Sequence, residues 1–374
     1  MRKFLTSIFE KLADKTRKKE PPVVVIEEIR EVKQSPTKPT KVPKKRKQKV
    51  SKNLVFDDLP HDIPPSISPQ KMKLISIAGK IRLDPDKTES AFMARQLVQA
   101  TLPHKNPGNV PAWSRKNGDL TLTIRPGWDH RKNKTIGYPY GTIPRLLLFW
   151  ITTEAVRTRS RKLELGESLS EFMNAIGLNY YNGGGKRGDI KRLQNQMERL
   201  LRANISLDIV KKDGKIMGKR WIDMQVAPEG ELWWNIKNPN QSSLFCSWIE
   251  LSDKFYDAIV SAPVPVDMRA LKALKRSPLA LDFYAWATYT AYQTQKHKKE
   301  RSVSWEWLHK QFGAEYGKID EFARNAWNAL IKVQAVYPEL NIERIRGGIN
   351  VLPSNPSIPL RSKKESKLST NMIR

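Results

Sequence analysis

Acid is in short supply in this 374-residue chain: 38 Asp and Glu stand against 67 Lys and Arg, a formal charge of +29. Such a surplus attracts polyanions, with nucleic acid the first candidate and an anionic membrane surface the second. Cysteine is scarcer still. A lone Cys246 excludes an internal disulfide and has no neighbours at zinc-ligand spacing, which fits a reducing cytoplasm. The longest apolar run, Leu146 to Ile151, is six residues, against about 20 needed to span a bilayer. The N-terminal MRKFLTSIFEKLADK carries charge where a signal peptide needs apolar residues, so a cleaved leader is not expected.

Catalytic patterns are missing too. The five histidines, His61, His104, His130, His297 and His309, are scattered, and no His-x-His pair accompanies Tyr180 and Tyr181, which argues against a rolling-circle nickase. There is no Gly-x-Ser-x-Gly elbow. Asp57 and Asp58 in a proline-flanked loop read as surface charge and not as a two-metal site. The run GGGKRG ending at Gly188 fails as a phosphate loop, because Tyr180 stands at the first glycine and Arg187 at the magnesium-binding Ser or Thr. The expectation is no catalytic residue, no metal, no cofactor and no enzyme activity.

With 39% hydrophobic residues and 11 Trp, the chain can build a real core. Residues 1–70, with 17 basic and 9 acidic side chains among many prolines, read as a disordered basic region. Within it Phe4, Leu5, Ile8, Phe9 and Leu12 line one face of an amphipathic helix. Its partner would be the rest of the chain, another protein, or an anionic membrane. Residues 357–374 read as a basic tail. The excess of charge persists between 71 and 360, so the folded part is basic in its own right.

Short apolar alternations between 71 and 130 predict strands, with Leu120, Leu122 and Ile124 on one face. The run TIPRLLLFWITTEAVRTRS predicts a buried helix with Thr142 as cap and Pro144 in its first turn. In ESLSEFMNAIG, Ser168 and Glu171 form a capping box and Gly177 a stop. DIKRLQNQMERLLRA predicts a second helix capped by Asp189, with Ile190, Leu193, Met197, Leu200 and Leu201 inward. Its other face shows Lys191, Arg192, Gln194, Asn195, Gln196, Arg199 and Arg202, side chains whose forked donors and amides match base edges and phosphates. Lys186 and Arg187, just before it, either hold a DNA phosphate at the helix N-terminus or belong to a flexible linker. A hairpin follows, tipped by Lys211, Lys212, Lys215, Lys219 and Arg220, as a wing along phosphates would be. Helix, turn, helix and basic hairpin together describe a winged helix.

The order repeats downstream. SPLALDFYAWATYTAYQTQ, SWEWLHKQFG and KIDEFARNAWNALIKV predict three helices: the first opened by Ser277 and Pro278, the second capped by Ser304 with Trp305, Leu308 and Phe312 inward, and the third with Phe322, Ala326, Leu330 and Val333 inward and Arg324, Asn325, Asn328 and Lys332 exposed. A Gly-Gly hairpin then carries Arg344 and Arg346 at its base. Trp221, Trp233, Trp234 and Trp248 lie among apolar neighbours on strand-like stretches, and read as sheet core in preference to a stacking surface for single strands. The expected fold is mainly α with small β-sheets (α+β). It comprises a disordered region 1–70, a first winged-helix domain 71–260 with N-terminal strands, a second at 261–356, and the tail.

The runs GYPYGTIPRLLLFWITTEAVRTRSRKLELGESLSEFMNAIG, GGKRGDIKRLQNQMERLL and WIELSDKFYDAIVSAPVPVDMRALKALKRSPLALDFYAW resemble, in order, the RepA family of plasmid replication initiators, over roughly 105 to 350. The resemblance implies a bacterial cytoplasmic protein that binds repeated double-stranded sites (iterons) at a plasmid origin, helps open the duplex and recruits host replication proteins such as a helicase or its loader. It also implies a link to copy control and a switch between monomer and homodimer. Lys186, Arg187, Lys191, Arg192, Asn195 and Arg199 would mark the DNA-reading helix. The alternative is a winged-helix regulator of transcription or partition, since the same module serves either task.

Overall fold

The structure, a computed structural model, describes residues 69–84, 89–178, 188–213, 216–233, 240–241, 246–313 and 315–358. All of them fall within one unit, 63–374. The amphipathic stretch Phe4 to Leu12, most of the C-terminal tail, Trp234, and the cations Lys186, Arg187 and Lys215 lie outside the described residues. Among the described residues the architecture is mixed, with helices around several small sheets.

The first element overturns an expectation. Residues predicted to begin a set of strands form helix α1 (Pro69–Leu83). Leu74, Ala78 and Ile81 recur at helical spacing and pack on the core, while Met72 and Ile75 stay exposed. Strand β1 (Ser90–Ala94) leads into the short helix α2 (Arg95–Gln99). β1 pairs antiparallel with the distant β11 (Pro263–Asp267), from Ser90 opposite Asp267 to Ala94 opposite Pro263. This two-stranded ribbon ties the start of the described chain to its second half.

Helix α3 (Thr142–Thr158) packs against β1 and buries Ile143 and every residue from Leu146 to Ile151. Gly141, not Thr142, is its N-cap; φ 79° and ψ −152° there suit a residue without Cβ. A four-stranded sheet has the order β2 (Trp113–Asn117), β3 (Leu120–Arg125), β7 (Asn204–Asp213), β8 (Ile216–Gln225). Leu120, Leu122 and Ile124 are buried, as the alternation predicts. The hairpin strands run further than expected, into residues read as loop. β3 starts at Leu120 opposite Ile209, and Asp119 O still accepts the Val210 N–H, so the three residue pairs from Lys211–Gly218 to Asp213–Ile216 overhang the sheet by about 10 Å at roughly 3.3 Å per residue. Strands β4 (Trp128–Asp129) and β5 (Lys134–Thr135) make a separate small ribbon.

Helix α4 (Leu169–Ala175) is capped as predicted: Ser168 Oγ accepts the Glu171 N–H at 3.2 Å, and Gly177 at φ 77° follows its end. Helix α5 (Asp189–Leu201) takes Gly188 as N-cap, and Asp189 becomes its first residue. β6 (Lys162–Glu164), between α3 and α4, pairs with β10 (Trp248–Glu250), which in turn pairs with β9 (Glu229–Glu231). Two further helices, α6 (Asp253–Val260) and α7 (Met268–Leu274), are capped by the side chains of Ser252 and Asp267.

Helix α8 (Pro278–His297), capped by Ser277, is buried along most of its length. Helices α9 (Trp305–Phe312) and α10 (Ile319–Val336) follow, with Trp305, Leu308, Phe312, Phe322, Ala326, Leu330 and Val333 inward as predicted. Their sheet has the order β12 (Arg301–Ser304), β14 (Gly348–Val351), β13 (Ile342–Ile345). Arg346 sits in the hairpin turn and not at its base, because the turn is Arg346 and Gly347, the latter at φ 77°.

The tryptophans depart most from the sequence reading. Trp221 is 63% exposed and Trp233 48%. β8 is an edge strand, and its pleat turns Trp221 outward with Lys219 and Asp223 while Met224 is buried. Trp248 is half-buried, with Lys162 Nζ 4.2 Å from its ring centroid.

Candidate nucleic-acid interface

The segment GYPYGTIPR does two jobs. Its first half docks α5. Tyr138 is buried and donates its hydroxyl to Val110 O at 2.7 Å. The Tyr140 N–H donates to Gln196 Oε1 at 2.8 Å, and the Arg199 guanidinium lies over the Tyr140 ring while donating to Tyr138 O at 3.2 Å. Gly137, at φ 92°, lets the Arg199 guanidinium pass; a Cβ there would sit 2.9 Å from its Nη1. Gln196 and Arg199 thus hold the helix to the body of the protein. Arg202 is turned aside in the same way, donating to Trp128 O at 3.0 Å. Lys191, Arg192 and Asn195 remain exposed and Gln194 half-buried, the face left open for a ligand. Arg192 also pairs with Asp189 at 3.0 Å.

The second half clamps α3 to α8. Arg145 is buried and all five of its guanidinium hydrogens are used. Nε and Nη2 donate to the two carboxylate oxygens of Asp282 at 2.8 and 2.9 Å, Nη2 also to Leu102 O at 2.6 Å, and Nη1 to Pro103 O and Gly141 O at 3.0 and 2.7 Å. His104 Nε2 lies 2.7 Å from Asp282 Oδ2, and the His104 N–H donates to Glu315 Oε1 at 2.6 Å. Burial alone would raise the Asp282 carboxyl, but the Arg145 charge and the hydrogen bonds from His104 and Arg145 hold it down to about 2. Burial pulls His104 below its usual range, against the hydrogen bond to Asp282. Burial also brings Arg115 down to about 10; it donates to Gln311 O at 2.9 Å, its Nη2 lies 3.9 Å from Glu315 Oε1, and its Nε and Nη2 have no hydrogen-bond partner among the described residues.

Sequence reasoning missed this cluster, although a signal was present. Arg145 interrupts the apolar run IPRLLLFW and Asp282 the run LALDFYAW; a single charge within a buried helix calls for a buried partner.

The clamp fixes how the two candidate faces stand to each other. A cleft of about 550 Å³ is lined by Lys191, Arg192, Asn195 and Gln196 of α5, by Tyr140 to Ile143, and by His104, Arg276 and Pro278. A second, of about 340 Å³, is lined by Asn325, Asn328 and Lys332 of α10, with Lys105, Tyr316, His104 and Pro278. The clefts meet at His104 and Pro278, so the exposed polar faces of α5 and α10 flank one ridge. Arg324, Asn328 and Lys332 are exposed, and Asn325 is half-buried with its amide donating to Glu321 O at 3.0 Å. Arg344 is exposed and lies over the Trp327 ring, 5.8 Å from its centroid.

The hairpin cations are placed elsewhere. Lys219 and Arg220 are exposed on β8, with Lys219 3.6 Å from Asp208; Lys211 and Lys212 lie on β7 near the overhanging end. Among the described residues no group of three or more His, Cys, Asp or Glu is placed to hold a metal, and no helix is long and apolar enough to cross a membrane.

Residues 138–307 match the family model described as RepA_C, plasmid encoded RepA protein. No curated protein matches the chain. Two crystal structures of RctB resemble it in outline. That of RctB domains 2-3 has 6% identity and a TM-score of 0.37, covering 69% of this chain and 96% of its own. That of selenomethionine derivatives of domains 2 and 3 has 8% identity and a TM-score of 0.42, covering 68% and 94%. Likeness at this level identifies neither fold nor function. The family match begins at Tyr138 and takes in the rest of the GYPYGTIPR segment, the α5 face and the Arg145–Asp282 clamp, so over residues 138–307 the chain is similar to plasmid-encoded RepA proteins.

Proposed function

We propose that the protein is a sequence-specific, double-stranded-DNA-binding plasmid replication initiator of the bacterial cytoplasm, acting without cofactor, metal or catalysis of its own. The observation that carries this reading is the pair of exposed polar faces, on α5 and α10, set on adjoining clefts by one buried ion pair. Each face follows the order expected of a winged helix. In the second unit, α8, β12, α9 and α10 precede the hairpin β13–β14, and β12 pairs with β14. In the first, α3, β6, α4 and α5 precede the overhanging hairpin β7–β8, although β6 pairs with β10 and the hairpin with β3. On this reading α5 reads a major groove with Arg192, Asn195 and Gln194, and α10 meets a neighbouring groove. Both hairpins run along phosphates.

Repeated origin sites, duplex opening, recruitment of a host helicase or loader, and a homodimer complete the proposal. The segment Phe4 to Leu12 is the candidate dock for the host protein.

A footprint of the purified protein on the DNA flanking its own gene, at about 150 mM salt to suppress nonspecific phosphate binding, tests the reading. Protection of regularly phased repeats beside an A·T-rich stretch is expected. Protection of a single promoter palindrome would replace initiation by regulation, and no discrete protection would end the sequence-specific reading.

A further inference from the structure

We propose that the 550 Å³ cleft beneath α5 is a phosphate-binding site, and that it seats one backbone phosphate of the bound duplex between the two helical faces. The second half of this proposal rests on the DNA-binding reading above.

Four observations converge on the cleft. Arg276, at the end of α7, and Lys191 are exposed cations that line it and have no carboxylate partner among the described residues. Gln196 is only 6% exposed; its Oε1 is held by the Tyr140 N–H, while its Nε2 finds no acceptor among the described residues. That amide adds one more donor to the cleft wall. Thr142 and Ile143 open α3 on the same cleft, and Gly141 provides no side-chain cap for their amides. Pro144 follows without an N–H, leaving these two as donors at the positive end of a 17-residue helix. The acid nearby is already engaged: Asp189 by Arg192, and Asp282 by Arg145 and His104. The donors thus suit a tetrahedral oxyanion. The position, at the ridge where the clefts of α5 and α10 meet, is where a strand contacting both faces would pass.

Two measurements on the full chain test it, with Arg276→Gln as the main variant and Lys191→Gln as a second; both side chains are exposed and unpaired, so the fold tolerates the change. Thermal unfolding is compared in sodium phosphate and in sodium chloride at equal ionic strength. Phosphate should raise the Tm of the parent and not that of Arg276→Gln. Binding is then measured on the footprinted duplex with a neutral methylphosphonate at each linkage in turn. One linkage should cost the parent about tenfold in affinity and cost Arg276→Gln little, because a charge-assisted contact of this order is already lost there.

Stabilisation by phosphate with no linkage that separates parent from variant would assign the cleft to a small phosphate compound and overturn the DNA half. Neither effect would overturn the site. Should the parent protect no DNA, the DNA-binding reading fails by itself, and the phosphate effect on Tm still decides the cleft.

Discussion

Replacing Arg145 by Met tests the clamp most directly, because the side chain keeps an unbranched apolar stem and loses the guanidinium with all five donors. Two of them serve Asp282 and three serve backbone carbonyls. Removing one member of a buried pair typically costs about 3–5 kcal/mol. Pro103 O keeps the Gly141 N–H at 3.1 Å, so the carbonyl left most exposed is that of Leu102, worth about 1 kcal/mol more. The expected total is about 4–6 kcal/mol, a large share of the roughly 5–15 kcal/mol that holds a typical domain together. Asp282→Asn should cost less. A carboxyl at about 2 in the fold and near 3.8 outside it contributes about 2 kcal/mol at neutral pH, and Asn keeps the shape and one accepting oxygen. The assay is urea unfolding at pH 7 followed by tryptophan fluorescence. With a slope of about 2–3 kcal/mol per molar, the midpoint should fall by about 2 M for Arg145→Met and by under 1 M for Asp282→Asn. The double change Arg145→Met with Asp282→Leu should recover part of the loss, since no buried charge is then left alone. A midpoint for Arg145→Met equal to that of the parent, or a larger loss for Asp282→Asn, would refute the reasoning.

Acid should weaken the protein in two stages. His104 and Asp282 both bind protons less readily in the fold than in the unfolded chain, so their contributions are complete above about pH 6.5 and fall with acid, His104 first and Asp282 from about pH 4 downward. Urea midpoints from pH 8 to 3 check this; a midpoint that rises on acidification contradicts the sign, and His104→Gln should remove the upper stage. On the DNA side, Arg192→Ala should relax base preference at one position at a cost of about 1–3 kcal/mol, whereas Lys219→Ala should weaken all sequences alike and lower the salt slope by about one. Equal losses on cognate and random duplexes for both variants would sink that division of roles. Gly348→Ala should destabilise by about 1–3 kcal/mol, because its Cβ would press on the Val303 backbone and sit 3.0 Å from Ser304 Cα; thermal unfolding measures it, and an unchanged Tm would show that β12 can yield. Trp221→Ala should leave stability within about 0.5 kcal/mol while removing a fluorophore readily quenched by iodide. A large loss of stability would restore the sheet-core reading of that residue.

Periodicity makes several elements legible in the sequence itself. The inward stripes of α5, α9 and α10, the alternation of β3, and the caps at Ser168, Ser277 and Ser304 follow from local sequence because each depends on neighbours within a turn or a pleat. The GYPYGTIPR and SPLALDFYAW runs pointed to the RepA resemblance, and the family match takes in the first from Tyr138 onward and the whole of the second. Exposure was less legible. Trp221 looks like core beside Ile222, but whether a strand is central or edge depends on which strands pair with it, and β7 alone pairs with β8. Gln196 and Arg199 looked like reading residues on a helical wheel. Their fate was set by Tyr138 and Tyr140, which come from a segment some 56 to 61 positions away.

Sequence alone thus determined the basic excess, most of the helices and the two exposed polar faces on α5 and α10, since charge and amphipathic spacing are local properties of the chain. Only the tertiary structure decided that Arg145 and Asp282, 137 positions apart, meet in one buried pair, that β1 joins β11, and that the two faces flank a common ridge at His104 and Pro278. The reason is physical: a buried charge requires a partner, but sequence spacing does not say which one, and the choice is made by the packing that brings two helices together.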